Sequence, residues 1–173
     1  PFKIDFLNYE KNKALIKVEG SKNKNDEIFI KHFSINENKN QIKIENLNLN
    51  KDLQITKLDL INLNFIDREN LKNQIKVFKK KNQYVLNGSF FNANKLIDNL
   101  LSDNRNSAFF NINNKIEINI DEILLDNQNN LYDFNGSISL KNKEIANANL
   151  VGNFSDNKKL KFTINFSDNN KIT

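Results

Sequence analysis

Apolar and polar residues alternate with a period of two through most of the chain, and the pattern yields to a helical period only once, within Tyr84 to Asp103, YVLNGSFFNANKLIDNLLSD. A period of two puts successive side chains on opposite faces of a strand, whereas a helix repeats every 3.6 residues. A chain of this kind folds into a large sheet with one greasy face, and a single short helix can cover only part of it. What covers the rest decides the function.

The alternation is clearest in Gln41 to Glu45, where Ile42 and Ile44 share one face, and in Ile116, Ile118 and Ile120. Leu47 and Leu49 fall on the opposite parity from Ile44. Ile123 and Leu125 likewise follow Ile120 out of phase, after Asp121-Glu122. Each change of parity requires a bulge, a bend or a change of face. Two long strands broken at similar points are expected to belong to a sheet that curls. Further strands are expected over Phe2–Leu7, Ala14–Glu19, Glu27–Phe33, Leu53–Leu60, Gln74–Phe78, Tyr84–Phe90, Leu131–Leu140, Ile145–Phe154 and Leu160–Phe166. Polar turns rich in Asn, Asp and Lys separate them, with Asn and Asp taking the left-handed conformations. The short spacing leaves no room for crossover helices, so an antiparallel meander is the expected topology. The helix reads as Ala93 to Leu101, capped by Asn92, with Leu96, Ile97, Leu100 and Leu101 as its docking stripe. The expected fold is therefore mainly β: a long curved antiparallel meander forming an open groove, with one short α-helix near residues 92–102.

Composition narrows the function. The 173 residues, without a Pro- or Gly-rich linker, read as one segment, 1–173; Pro1 at the start and the absence of Met lead to the expectation of a fragment of a longer protein. Zero Cys removes thiolate zinc sites and disulfides. Charged residues make up 27%, mean hydropathy is −0.64, and no apolar run has the roughly 18 residues of a membrane span. A net charge of +5 and a pI near 9.3 permit polyanion binding, yet the lysines are scattered and cluster only at Lys79-Lys80-Lys81. Nucleic acid is accordingly not an expected partner. About a fifth of the residues are Asn, so the four Asn-x-Ser triplets at Asn87, Asn135, Asn153 and Asn165 are read as products of composition.

Catalytic signals are missing. The single His32 has no second His or Cys with which to hold a metal, and the carboxylates at Asp67, Glu69, Asp121 and Glu122 have no evident acid/base partner. Gly88 and Gly136 are isolated and form no phosphate-binding loop. The expectation is a non-enzyme with no catalytic residues, cofactor or metal.

The run Tyr84 to Gly88, then Ser89-Phe90-Phe91-Asn92-Ala93 and Leu96 to Leu101, resembles the strand-Gly-helix element of AsmA-like proteins, and within that superfamily is most similar to the YhdP-type members of alphaproteobacteria. The β segments Ile116–Leu125, Leu131–Gly136 and Ala146–Phe154 extend the likeness over the second half of the chain. The resemblance implies a repeating β-groove protein of the periplasm, anchored in the inner membrane by a segment outside this chain. Such a protein shields phospholipid acyl chains on their way to the outer membrane. On that reading the partners are phospholipid acyl chains. The groove candidates are Ile42, Ile44, Ile116, Ile118 and Ile120, with Leu47, Leu49, Ile123 and Leu125 beyond the bends. A non-catalytic β-sandwich scaffold or adaptor in envelope assembly has the same alternation and is the alternative.

Overall fold

The structure, a computed structural model, describes residues 14–94, 113–126, 129–141, 144–156 and 158–165. They form eleven strands: β1 (Leu15–Lys22), β2 (Ile28–Glu37), β3 (Asn40–Leu49), β4 (Ile55–Lys57), β5 (Leu60–Ile66), β6 (Lys72–Lys80), β7 (Gln83–Asn92), β8 (Lys115–Leu124), β9 (Asn130–Lys141), β10 (Glu144–Phe154) and β11 (Lys159–Asn165). All lie in one open sheet, in the order β1-β2-β3-β5-β6-β7-β8-β9-β10-β11, with the short β4 added to the end of β3. Substantial contacts between strands are all between sheet neighbours. Two separate sheets, as a sandwich needs, are not present among the described residues.

Tight polar turns make this order. Residues with positive φ occupy them at Asp26, Asn38, Leu53, Asn70 and Lys81, four of the five polar and two of them Asn. In the turn between β1 and β2, the Asn23 side chain accepts from the Asn25 and Glu27 N–H groups; Asn50 does the same for Asp52 and Gln54.

Two expectations are corrected. The sheet is not a pure meander, because β7 and β8 run parallel with Gln83 beside Lys115 and Asn92 beside Leu124. A tight turn cannot join parallel neighbours, and 22 residues, 93–114, separate these two strands in sequence. The single strand expected over Leu53–Leu60 is instead β4, ending at Lys57, and the start of β5. β5 itself continues to Ile66, with Ile61, Leu63 and Phe65 alternating with Asn62 and Asn64. The expected helix, with Leu96, Ile97, Leu100 and Leu101, lies outside the described residues, as does the strand Phe2–Leu7. At the expected cap, Asn92 Oδ1 accepts from the Asn94 N–H at 3.2 Å.

The parity changes resolve as single odd residues that keep apolar side chains on one face. Asn46 has φ 48°, and Ile44 before it and Leu47 after it pack in the same cluster around Leu47, Leu58 and Tyr84. In β8, Ile118, Ile120 and Ile123 share one buried cluster although Asp121 intervenes. Facing that break, between the pairs Ile120–Phe134 and Glu122–Tyr132, β9 carries Asp133 at φ 51°. Neighbouring ladders slip at the same level: β6–β7 at Gln74/Ile75 and β9–β10 at Val151/Asn153. Each bulge adds local twist to the strand that carries it.

Candidate functional site

Residues directly opposite one another in adjacent strands lie on the same face, so the register defines rows that cross the sheet. One row is apolar from edge to edge. It runs Val18, Phe33, Ile44, Ile61 and Val77 through β1, β2, β3, β5 and β6. It continues as Leu86, Ile118, Gly136, Leu150 and Phe162 through β7 to β11. Its nine steps at about 4.8 Å give a track of roughly 43 Å. The middle of the row is mostly half-buried, and its ends are open, with Val18 65% and Phe162 44% exposed.

A second apolar row beside it joins Ile16, Ile35, Ile42, Leu63, Ile75, Gly88, Ile120 and Phe134. It is more tightly packed, with Ile35, Ile42, Ile75 and Ile120 all buried. Gly88 is required here, since a Cβ on it would meet Ile75 Cδ1 at 2.6 Å. A third row, Tyr84, Ile116, Ile138, Ala148 and Ile164, lies on the other flank.

All nine groove candidates fall within these apolar clusters, but they differ in access. Ile42, Leu47, Ile118, Ile120 and Ile123 are buried among protein side chains. Ile44, Leu49, Ile116 and Leu125 are half-buried and keep part of their surface open. Sequence reasoning missed Val18, Phe33, Ile61, Val77, Leu86, Leu150 and Phe162. Each sits in an alternating run, but only the register reveals that they align.

The opposite face is mostly polar, although Leu60, Phe78 and the buried Val85 lie side by side on it. Its central row reads Lys17, Ser34, Lys43, Asn62, Lys76 and then Asn87, Asn119 and Asn135. Several lysines are neutralised locally: Lys31 pairs with Glu19 at 2.7 Å, Lys43 with Glu45 at 2.6 Å and Lys115 with Glu117 at 3.7 Å. Lys79, Lys80 and Lys81 are exposed at the β6–β7 turn. His32 Nε2 lies 3.2 Å from Ser34 Oγ, and among the described residues no group of three His, Cys, Asp or Glu could hold a metal. No helix among the described residues is long and apolar enough to cross a membrane.

One polar clasp fixes the point where the chain leaves β7. Asp67 is buried and accepts four bonds: Glu69 N–H at 2.9 Å and Leu71 N–H at 3.0 Å on Oδ1, Asn73 Nδ2 at 3.0 Å and Asn92 Nδ2 at 2.9 Å on Oδ2. Burial pushes the Asp67 carboxyl upward, but the bonds from Leu71, Asn92, Asn73 and Glu69 outweigh it and hold the group below the usual carboxylate range. Asn73, 1% exposed, closes the clasp by accepting the Asn92 N–H at 2.7 Å. Tyr84, in the third apolar row, has its phenol pushed above the usual range chiefly by burial. The Asp67-Arg68-Glu69 turn thus has a structural role in this geometry.

No family model, curated protein or solved structure matches the chain.

Proposed function

We propose that this chain is a segment of a periplasmic bridge-like protein whose apolar sheet face shields phospholipid acyl chains and supports phospholipid transport between the inner and outer membranes. The anchor lies in a segment outside this chain, and no chemical step is involved. The observation that carries the reading is the uninterrupted apolar row from Val18 to Phe162. At roughly 43 Å it exceeds the ~30 Å hydrocarbon core of a bilayer, so acyl chains can lie along it end to end. Each methylene kept from water is worth about 0.8 kcal/mol, enough for a continuous track to offset the loss of bilayer contact. The parity breaks at Asn46 and Asp121, with the neighbouring register slips at Gln74/Ile75 and Val151/Asn153, curl the sheet into a groove on its apolar side in this reading. The likeness of Tyr84 to Leu101 to the AsmA-like element points the same way.

A photoreactive residue at Ile44 or Leu86 is expected to capture phospholipid, and one at Lys43 or Asn87 on the opposite face is not. Equal capture from both faces would defeat the proposal.

A non-catalytic scaffold in envelope assembly is the second reading. It is favoured by the burial of Ile42, Leu47, Ile118, Ile120 and Ile123 against protein side chains. Native mass spectrometry of detergent-free protein separates the two: bound lipid supports the track, and its consistent absence supports the scaffold.

A further inference from the structure

A cleft of about 680 Å³ opens on the polar face over β5 to β8, behind the apolar track. Carboxamides are the largest group in its wall, Asn62, Asn64, Gln74, Asn87 and Asn119, with Leu63, Ile75 and Gly88 also lining it. Asn87 and Asn119 are paired in the parallel β7–β8 ladder, so their amides stand about one strand spacing apart, roughly 4.8 Å. Asn119 Nδ2 reaches Asn87 Oδ1 only at 3.4 Å, a long bond that a competing hydroxyl displaces at little cost. Asn64 Oδ1 has no hydrogen-bond partner. The slip in the β6–β7 ladder at Gln74/Ile75 leaves Ser89 at the cleft, where its hydroxyl donates to Gln74 Oε1 at 2.6 Å.

The chemistry of this wall selects its ligand. A carboxamide donates and accepts at once, which suits neighbouring hydroxyls that also do both. Lys76 and Asp121 contribute one charge of each sign, so neither an anion nor a cation finds a matching field. Lys76 Nζ is further occupied over the Phe78 ring, 5.3 Å from its centroid. The cleft has the size of a small-molecule site, but its lining is too polar for an acyl chain.

We propose that this cleft binds a neutral oligosaccharide through the Asn87–Asn119 pair and the amides of Asn62, Asn64 and Gln74. The site lies on the face opposite the apolar track and stands whether or not that track carries lipid. A few net hydrogen bonds to a solvent-open wall correspond to a Kd of about 1 mM. The test is saturation-transfer NMR on the intact chain with cellotetraose, maltotetraose, chitotetraose and, as an acidic control, tetragalacturonate. At least one neutral probe is expected to show saturable transfer, weakened about tenfold or more in the variant Asn87→Leu/Asn119→Leu. Both side chains are exposed, and far-UV circular dichroism verifies the fold. The milder Asn87→Ala/Asn119→Ala substitution repeats the test if leucine disturbs the sheet. Transfer to none of the neutral probes, transfer untouched by either double variant, or a preference for tetragalacturonate would each overturn the assignment.

Discussion

Leu131 and Gly152 form a side-chain interlock between β9 and β10, and a double-mutant cycle on them tests the packing of the apolar face. Leu131 is 1% exposed. A Cβ built on Gly152 would lie 2.8 Å from Leu131 Cγ, 2.9 Å from Cδ1 and 3.1 Å from Cδ2, so the leucine side chain fills the space the glycine leaves. Gly152→Ala therefore overpacks the site and should cost about 1–3 kcal/mol. Leu131→Ala removes three carbons from a site with almost no exposure, and should cost about 3–4 kcal/mol. In the double variant the clash vanishes and the new methyl fills part of the cavity, recovering roughly 0.8 kcal/mol. The pair should then be less damaging than Leu131→Ala alone, with a coupling of about 2–4 kcal/mol. Urea unfolding followed by circular dichroism reads this directly. With a slope near 2 kcal/mol/M the Leu131→Ala midpoint falls by about 1.5–2 M, and the double variant lies above it. Additivity within about 0.5 kcal/mol would mean that the two residues do not interlock, and would refute the β9–β10 packing described above.

Gly136 has φ 143°, and a Cβ there would strike the Asn149 carbonyl oxygen and lie 2.9 Å from Leu150 Cα; Gly136→Ala is expected to destabilise by about 2 kcal/mol or more in the same unfolding assay. Because the folded-state pKa of Asp67 is depressed, its clasp contributes stability above the ordinary Asp value of about 3.9, and that contribution is lost as pH falls through the folded pKa. Stability measured from about pH 5 downward should drop less steeply in Asp67→Asn than in the parent chain, and equal slopes would remove the clasp from the acid limb. Asp67→Ala at neutral pH leaves the buried Asn73 amide with only the Leu71 carbonyl, at 3.1 Å, as its acceptor and should cost about 1–3 kcal/mol, read by the urea midpoint.

Strand positions were largely legible because alternation reports one-sided burial directly. Ile42 and Ile44, or Ile116 to Ile120, could hardly be anything else. The parity breaks were legible as well, and they fell at Asn46 and Asp121. What alternation could not report is which strand lies beside which. The parallel β7–β8 pair depends on where residues 93–114 carry the chain, and nothing in the period of β7 or β8 distinguishes a parallel neighbour from an antiparallel one. β5 escaped for a different reason: its two asparagines sit in a chain where about a fifth of residues are Asn, so polar positions in a strand and turn residues look alike.

The same limit explains why the groove candidates differ in access. Choosing the most regular isoleucines selects side chains that pack best against one another, and these are the ones the fold buries, as at Ile42, Ile118 and Ile120. A surface able to receive a guest needs apolar side chains that stay partly open, and such residues have no signature in a single strand. They emerge only when the register aligns Phe33 with Ile44, Ile61 with Val77 and Leu86 with Ile118. The one position in that row without a side chain is Gly136, where β10 comes too close for any Cβ. The continuity of the track is therefore a property of pairing between strands, and a register slip of one residue in β1, β2, β3, β8 or β11 would replace an apolar member by a polar one and cut it.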